Sequence, residues 1–239
     1  AILPVSIAVC RAGASKEPLF KYISKLAGTK PSLPRPSVLM IEGGVHAGSF
    51  IDFQEFMVVP SEESFSEGIR TAAETYFFLE KILEDNYSKT ATNVGFEGGF
   101  AAPLKSVKEA LYLIAEAIGK KSLKIALDPA ATSFFKDDIY KLEGIAFTRR
   151  GLLGFYSDIC RNYPLISIED PFHQEDWEGF SKITKKLGGK VSIIGDDLLV
   201  TNPERIKEAE EKKACNGAII KPNQIGTVTE TIEAAKLAK

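Results

Sequence analysis

Cysteine, histidine and tryptophan are scarce in this sequence of 239 residues, which contains three, two and one of them, respectively. The three cysteines (Cys10, Cys160 and Cys215) are widely spaced, so they cannot build a disulfide framework. They suit a reducing compartment, and we therefore expect a cytoplasmic protein. The longest apolar stretches are strand-sized, well short of the roughly 20 residues that a membrane span needs. No charged-then-apolar leader opens the sequence, so secretion is not predicted either.

A charge excess is also missing, because 30 Lys and Arg residues stand against 32 Asp and Glu residues, for a net charge of -2. Without a basic excess, nucleic acid is not expected as a partner. A chain of this length with 44% hydrophobic residues can bury a substantial core, and one α/β barrel would use all of it. The sequence begins Ala1-Ile2-Leu3 without an initiating Met and stops at Lys239 inside a helix-favouring run. We therefore expect a partial chain.

Two apolar, helix-favouring stretches open the chain, at residues 2–14 and 18–26, and the second is followed by Gly28. A proline-rich connector comes next, and it predicts the main boundary of the sequence. We assign residues 1–33 to the helical end and linker of an amino-terminal region, and residues 34–239 to a partial barrel domain.

Six strand-sized apolar segments follow the connector, at residues 38–41, 53–59, 124–127, 165–168, 191–194 and 218–220. Only a glycine-rich loop separates the first two, which is too short for a helical crossover, so they should pair antiparallel. Two consecutive helices come next, with capping boxes at Ser64 and Glu67 and at Ser106 and Glu109. From residue 124 onward, strands and helices alternate strictly, which predicts a parallel sheet covered by helices. The order predicts an α/β fold, a TIM-like barrel of ββαα followed by βα units, with about six of its eight strands.

Three of the four parallel strands end in an acid and the fourth ends in a lysine: Asp128, Glu169, Asp196 and Lys221. Because the carboxyl ends of the strands form one rim of a barrel, these side chains should converge. Three carboxylates repel one another unless a cation lies between them, and oxygen ligands favour Mg²⁺, with Mn²⁺ possible. A lysine beside such an ion has its neutral form favoured, which suits a general base. The alternative for any one strand is a solvated rim residue, but four consecutive strands favour a shared site.

Two glycine-rich loops each carry one further candidate. Residues 93–100 hold Glu97 between glycines, where it could serve as a general acid over the mouth of the barrel. Residues 43–48 hold His46 at the end of a strand. Taken alone, the first loop is as consistent with an ordinary turn, and His46 with a structural role.

These strings resemble the enolase family over essentially the whole chain. They are AVCRAG at 8–13, GGVHAG at 43–48, QEFM at 54–57, EGGF at 97–100, SIEDPF at 167–172, GDDL at 195–198, TNP at 201–203 and KPNQIG at 221–226. Any one of them could arise by chance, but all of them in this order could hardly do so.

The resemblance implies an enolase-type barrel and a lyase, phosphopyruvate hydratase, which reversibly dehydrates 2-phosphoglycerate to phosphoenolpyruvate in glycolysis and gluconeogenesis. It implies Mg²⁺ as cofactor, with Asp128, Glu169 and Asp196 as its ligands. Lys221 would be the base and Glu97 the acid, as a lysine base with Mg²⁺ is general in the enolase superfamily. The substrate-binding residues that it implies are His46, Glu55, Glu97, Glu169, Asp196 and Lys221. The partners would be this small phosphorylated acid and, in the full-length protein, further copies in a homodimer or higher oligomer.

Several features depart from the family pattern. Phe96 stands where Asp usually precedes the glutamate, and Glu42 and Ser49 stand where Asn is usual. The amino-terminal capping domain and the last two barrel strands are missing, so we expect little or no hydratase activity from this chain alone. Two alternatives remain at this point: an enolase-like binding or structural protein with impaired catalysis, and a superfamily member that acts on a different acid sugar. The first is favoured by Phe96 and Glu42, whereas the KPNQIG and EGGF strings argue against the second.

Overall fold

The computed structural model describes residues 2–47 and 51–239, without the side chains of Val45 and His46, so that Ser49 lies outside the described residues. The described residues form ten α-helices: α1 Ile2–Ala14, α2 Leu19–Ala27, α3 Gly44–Ala47, α4 Phe65–Asn86, α5 Val107–Ile118, α6 Arg149–Asn162, α7 Trp177–Leu187, α8 Pro203–Lys212, α9 Pro222–Ile225 and α10 Val228–Leu237. They also form nine strands: β1 Val38–Glu42, β2 Glu55–Pro60, β3 Leu123–Asp128, β4 Phe135–Lys136, β5 Ile139–Leu142, β6 Ile145–Phe147, β7 Leu165–Glu169, β8 Ser192–Gly195 and β9 Gly217–Ala218.

One sheet of six strands organises the molecule, in the order β1-β2-β3-β7-β8-β9. Strand β2 pairs antiparallel with both β1 and β3, and the pairs from β3 to β9 are parallel. The predicted antiparallel start and parallel continuation are therefore confirmed. Strands β1 and β9 form the two edges of the sheet in the described part of the chain, so the barrel is open, as the prediction of six strands requires.

Side chains cap the starts of several helices, including the one for which a capping box at Ser106 was predicted. The hydroxyl groups of Ser106 and Thr227 accept hydrogen bonds from the main-chain amides three residues later, at 3.1 Å in both cases. Asn202 caps α8 in the same way, through the amide of Glu204 at 2.8 Å. These bonds satisfy main-chain donors that the first turn of a helix leaves without a partner. None of the helices in the described ranges has both the length and the apolar character to cross a membrane.

The prediction of strict alternation after residue 124 was wrong in one place. A second sheet of three short antiparallel strands, β4-β5-β6, lies between β3 and α6. Its two tight turns contain Asp137 and Asp138 and then Glu143 and Gly144, all with positive φ. Strands of two to four residues leave too little periodicity to be read from sequence, although acidic and glycine residues at positive φ are typical of hairpin turns.

The last strand is also shorter than predicted. We expected residues 218–220, but β9 consists of Gly217–Ala218. Lys221 is consequently the residue before α9 rather than the end of a strand. The ladder of β9 ends at Ala218, which pairs with Gly195, the last residue of its partner β8.

Candidate active site

The three predicted carboxylates lie at neighbouring strand ends. Asp128 is the last residue of β3 and Glu169 the last residue of β7, while Asp196 directly follows β8. These strands are adjacent and parallel, so their carboxyl ends share one edge of the sheet. Asp128 and Asp196 are 6% and 8% exposed, which places ionisable groups in surroundings that disfavour their charge.

Burial and mutual repulsion shift the acid–base behaviour of this cluster. Burial, followed by the charges of Asp128 and Asp196, raises the pKa of Glu169 to about 9. Burial and the neighbouring Glu55 raise the pKa of Asp128 well above its ordinary value. The carboxyl groups of Asp128 and Glu169 therefore hold a proton more readily than ordinary carboxyl groups, and the same repulsion favours a bound cation.

Lys221 supplies a positive charge to the same cluster. Its ammonium group donates a hydrogen bond to Oδ2 of Asp196, and the side-chain amide of Gln224 donates to Oδ1 at 2.6 Å. Burial lowers the pKa of Lys221, but the hydrogen bond to Asp196 and the nearby carboxylates outweigh it and raise the pKa above that of an ordinary lysine. In this arrangement Lys221 is protonated, the opposite of the shift expected beside a divalent ion.

The buried side chains of Thr201 and Asp170 support Lys221 and Asp196 through hydrogen bonds to the main chain. Neither residue was predicted as part of the site. The hydroxyl of Thr201 accepts a hydrogen bond from the Lys221 amide at 2.8 Å and donates one to Gln224 at 2.7 Å. The carboxylate of Asp170 accepts from the amides of Asp196 and Asp197 at 3.0 and 2.6 Å. Thr201, Gln224 and Asp170 all lie inside the strings that carry the family resemblance, but nothing in those strings states which residues bond to one another.

Glu55 and Glu97 form a second, separate pair. Glu55 is the first residue of β2 and lies opposite Asp128 in the sheet. Burial, followed by the side-chain hydrogen bond to Glu97 and the charge of Glu97, raises the pKa of Glu55 to about 7. A hydrogen bond between two carboxyl groups requires a proton on one of them, so the pair retains a proton near neutral pH.

The Glu97 loop runs along the open edge of β1. The amide of Phe100 donates to the carbonyl of Met40 at 2.9 Å, and the amide of Glu42 donates to the carbonyl of Phe100 at 3.1 Å. The buried carboxylate of Glu42 accepts from the amides of Glu97 and Gly99. Glu97 is therefore fixed to the same sheet that carries the rim carboxylates.

His46 lies in α3, between β1 and β2, but its side chain is outside the described part of the structure. Its predicted contact with substrate stays a prediction. Of the remaining predicted residues, the structure brings Asp128, Glu169, Asp196 and Lys221 together. It places Glu55 beside Asp128, and Glu97 against Glu55.

A metal site is not preassembled: among the described residues, no three His, Cys, Asp or Glu side chains stand in an arrangement that would hold an ion. The two carboxylate oxygens of Asp196 accept hydrogen bonds from Lys221 and Gln224. The donor set nevertheless fits a hard divalent cation, since it consists of mutually repelling carboxylate oxygens. To bind the ion, Asp196 would have to give up its hydrogen bond from Lys221 or from Gln224.

Parallel strands joined by helices, with acids at their carboxyl ends and a lysine shortly after the last strand, define an α/β-barrel domain whose site lies on that rim. Residues 30–239 match the family described as enolase, C-terminal TIM barrel domain, and the chain belongs to this family. The predicted enolase-type barrel fold is therefore confirmed.

Similar curated proteins carry the name enolase. The chain is 47% identical to the enolase of Methanopyrus kandleri, 47% to that of Thermococcus gammatolerans and 46% to that of Methanocaldococcus jannaschii. Each alignment covers 100% of this chain and 57% or 58% of the relative. The chain thus spans less than two thirds of the length of these relatives.

Proposed function

We propose that the full-length protein is an enolase, which reversibly dehydrates 2-phosphoglycerate to phosphoenolpyruvate in the cytoplasm. The observation that carries the proposal is the position of Lys221 against the carboxylates of Asp128, Glu169 and Asp196 at adjacent strand ends, with the Glu55–Glu97 pair beside them. Such a site offers a base and an acid from different elements of the fold, which an elimination needs.

The base step concerns the hydrogen on the carbon next to the substrate carboxylate. Lys221, once neutral, takes that proton on Nζ, and the electron pair of the broken C–H bond moves onto the carboxylate, which then carries a second negative charge. In the ligand-free arrangement Lys221 is bonded to Asp196, so substrate binding must release it. A positioned base contributes about 10²–10⁴-fold to such a step.

The acid step concerns the hydroxyl on the adjacent carbon. As the electron pair returns to form the carbon–carbon double bond, the C–O bond breaks, and Glu97 gives a proton to the departing hydroxide, which leaves as water. The proton held between Glu55 and Glu97 is the source of this acidity. Glu55 retains that proton near neutral pH because burial and the contact with Glu97 raise its pKa to about 7.

Asp128, Glu169 and Asp196 are proposed to hold Mg²⁺, consistent with their oxygen donors. The ion would stabilise the additional negative charge on the substrate carboxylate. We further propose that His46, Glu55, Glu97, Glu169, Asp196 and Lys221 contact substrate. Assembly into a homodimer or higher oligomer, and a domain boundary between residues 33 and 34, also remain predictions.

A direct assay tests this function. The full-length protein is incubated with 2-phosphoglycerate and Mg²⁺, and phosphoenolpyruvate is followed by its ultraviolet absorbance. We expect turnover that depends on Mg²⁺ and falls by at least about 10²-fold in Lys221→Ala. The 239-residue chain is assayed alongside, and it should show little or no activity, since it spans 57–58% of its relatives. A full-length protein without turnover would refute the proposal.

One observation favours a second candidate, an enolase-like protein with impaired catalysis that serves in binding or structure. Phe96 precedes Glu97 and is 89% exposed, so a large apolar side chain is presented to solvent next to the proposed acid. Exposed aromatic side chains are often used in binding. The kinetic effect of changing Phe96 separates the two candidates, as argued below.

A further inference from the structure

We infer that Glu42 is a positioning residue for Glu97: its buried carboxylate carries the loop of residues 95–99 and thereby sets where the proposed acid stands. This inference rests on the proposed function, because it assigns Glu42 a part in only one of the two steps of the elimination. It also gives a use to a residue at which this chain departs from its family pattern.

The contacts of Glu42 are the first argument. Glu42 ends β1 and is completely buried. Both of its carboxylate oxygens accept from the amide of Glu97, at 3.0 and 3.1 Å, and one accepts from the amide of Gly99 at 3.2 Å. Amide hydrogen bonds to a carboxylate are stronger than those between neutral groups, so this contact tethers the loop tip, together with the bond that the Tyr76 hydroxyl donates to the carbonyl of Gly98 at 2.9 Å.

The glycines of the loop are the second argument, because they fit around this carboxylate. A Cβ atom on Gly95 would lie 2.6 Å from Cδ of Glu42, and one on Gly99 would lie 3.0 Å from its Cβ. Both distances are too short for a side chain, so the loop can close on Glu42 only with glycine at these positions. The main chain at Gly95 and Gly99 therefore packs closely against the side chain of Glu42.

The third argument is the position of Glu42 in the sheet. Glu42 pairs with Glu55 across β1 and β2, and Glu55 is the hydrogen-bonding partner of Glu97. Glu42 therefore binds the main chain of Glu97 from a position next to Glu55, the residue whose side chain contacts that of Glu97. Displacing an acid by about 1 Å can cost about 10²-fold in rate.

Two substitutions separate the parts that Glu42 plays. Glu42→Gln keeps the length of the side chain and one acceptor oxygen, but its amide nitrogen cannot accept from a main-chain amide. Glu42→Met keeps the length and approximate volume and removes both acceptors. If the carboxylate positions Glu97, the rate of product formation should fall slightly to moderately in Glu42→Gln and show its full decrease in Glu42→Met.

The experiment measures the two chemical steps separately in the full-length protein with Mg²⁺. Exchange of the substrate α-hydrogen with deuterium from solvent, followed by NMR, reports the base step. Formation of phosphoenolpyruvate reports the whole elimination, including the acid step. We expect Glu42→Met to slow product formation by about 10²-fold and to leave α-hydrogen exchange within about threefold. The rate of product formation in Glu42→Gln should lie between those of Glu42→Met and the wild type.

A matched control and an activity-independent measurement complete the design. Thr201→Val, which alters the support of Lys221, should slow α-hydrogen exchange as much as product formation. Amide hydrogen exchange at Glu97 and Gly99 should accelerate at least tenfold in Glu42→Met, with the rest of the sheet protected as before. That protection elsewhere also shows that the variant is folded.

The possible results are distinct. Product formation that falls while α-hydrogen exchange persists supports the inference. Equal losses in both reactions, or no loss in either, overturn it, as does unchanged amide exchange at Glu97 and Gly99. If the wild-type protein catalyses neither reaction, the proposed function fails, and the amide exchange alone then decides whether Glu42 positions the loop.

Discussion

The main-chain amide of Lys221 donates a 2.8 Å hydrogen bond to the side-chain hydroxyl of Thr201, a residue 20 positions earlier in the chain. The same hydroxyl donates to Gln224 at 2.7 Å, and the amide group of Gln224 donates to Asp196 at 2.6 Å. The ammonium group of Lys221 donates a hydrogen bond to the other oxygen of Asp196, which completes a ring of hydrogen bonds. Thr201 therefore positions the main chain of Lys221, the proposed base, directly. Through Gln224 it also positions the carboxylate of Asp196, which binds the Lys221 ammonium group.

Thr201→Val tests this support and removes only the hydroxyl. Thr201 is completely buried and has a φ of 55°, so another β-branched residue keeps both the volume and the backbone strain. We expect the rate of α-hydrogen exchange of 2-phosphoglycerate to fall by about 10–100-fold, because a loosely held base loses its alignment. The rate is measured by NMR in deuterated buffer.

Thr201→Ser is the matched control, since it keeps the hydroxyl and removes the methyl group. Exchange in this variant should stay within about threefold of the wild type. A Ser variant as slow as the Val variant would show that the methyl group, and hence packing, accounts for the effect.

The order of strands and the carboxyl-end acids could be read from the sequence because both follow from local rules. Strand ends at a parallel rim coincide regardless of side-chain detail. Partners such as Thr201 and Gln224 could not be read in this way. Their bonds depend on the αL backbone at Thr201 and on the short helix after Lys221, neither of which leaves a periodic signal.

The rim carboxylates lead to a prediction about metal and stability. Glu169 is repelled by Asp128 and Asp196 in the metal-free protein. At pH 7 folding must place a proton on Glu169, because its pKa rises from 4.5 to about 9, and this proton uptake costs free energy. Gln is neutral in both states, so in Glu169→Gln the free energy of unfolding without metal should rise by about 1 kcal/mol or more at pH 7. Urea unfolding in the presence of a chelator measures this.

The same substitution should weaken the response to Mg²⁺. A site saturated about 100-fold above its dissociation constant stabilises a protein by about 2.7 kcal/mol. We expect such a Mg²⁺-dependent gain in the wild type and a much smaller one in Glu169→Gln. A gain of equal size in both proteins would exclude Glu169 as a ligand.

The small sheet β4-β5-β6 is joined to the barrel through Tyr140, which gives a prediction outside the site. Tyr140 is 1% exposed; its hydroxyl donates to Asp176 at 2.8 Å and accepts from the amide of His173 at 3.0 Å. Tyr140→Phe leaves that buried amide without its partner, so unfolding should cost about 1–3 kcal/mol less. Tyr112→Phe, at a position 62% exposed, is the control and should change stability by no more than about 0.5 kcal/mol.

The pH dependence of the same variant follows from the acid–base shift. Burial raises the pKa of Tyr140 above the ordinary tyrosine value, so the folded state favours the neutral phenol. The stability contributed by that preference is complete below about pH 10 and declines as the pH rises above it. Tyr140→Phe should therefore lose less stability than the wild type above pH 10. Identical declines would contradict the role of the phenol.

The second sheet also marks the limit of pattern-based prediction. Each of its strands is at most four residues long, so the alternation that buries Tyr140 and Leu142 in the core is too short to give a periodic signal. Glu42, by contrast, is visible in the sequence only as a departure from the family pattern that favours the alternative with impaired catalysis. The structure gives it buried hydrogen bonds to the Glu97 loop, which depend on a register between β1 and residues 95–100 that no local signal reveals.

Phe96→Asp decides between the active enzyme and the catalytically impaired candidate. Because the Phe96 side chain is 89% exposed, its replacement should change the free energy of unfolding by no more than about 0.5 kcal/mol. If Glu42 positions Glu97 from beneath, the identity of residue 96 matters little, and kcat of the full-length protein should stay within about fivefold of the wild type. Phe96→Ser is the control, since it removes the aromatic ring without adding charge. A gain of about 10²-fold in Phe96→Asp but not in Phe96→Ser would mean that a carboxylate is needed at this position, and that the natural protein is an enolase with decayed activity.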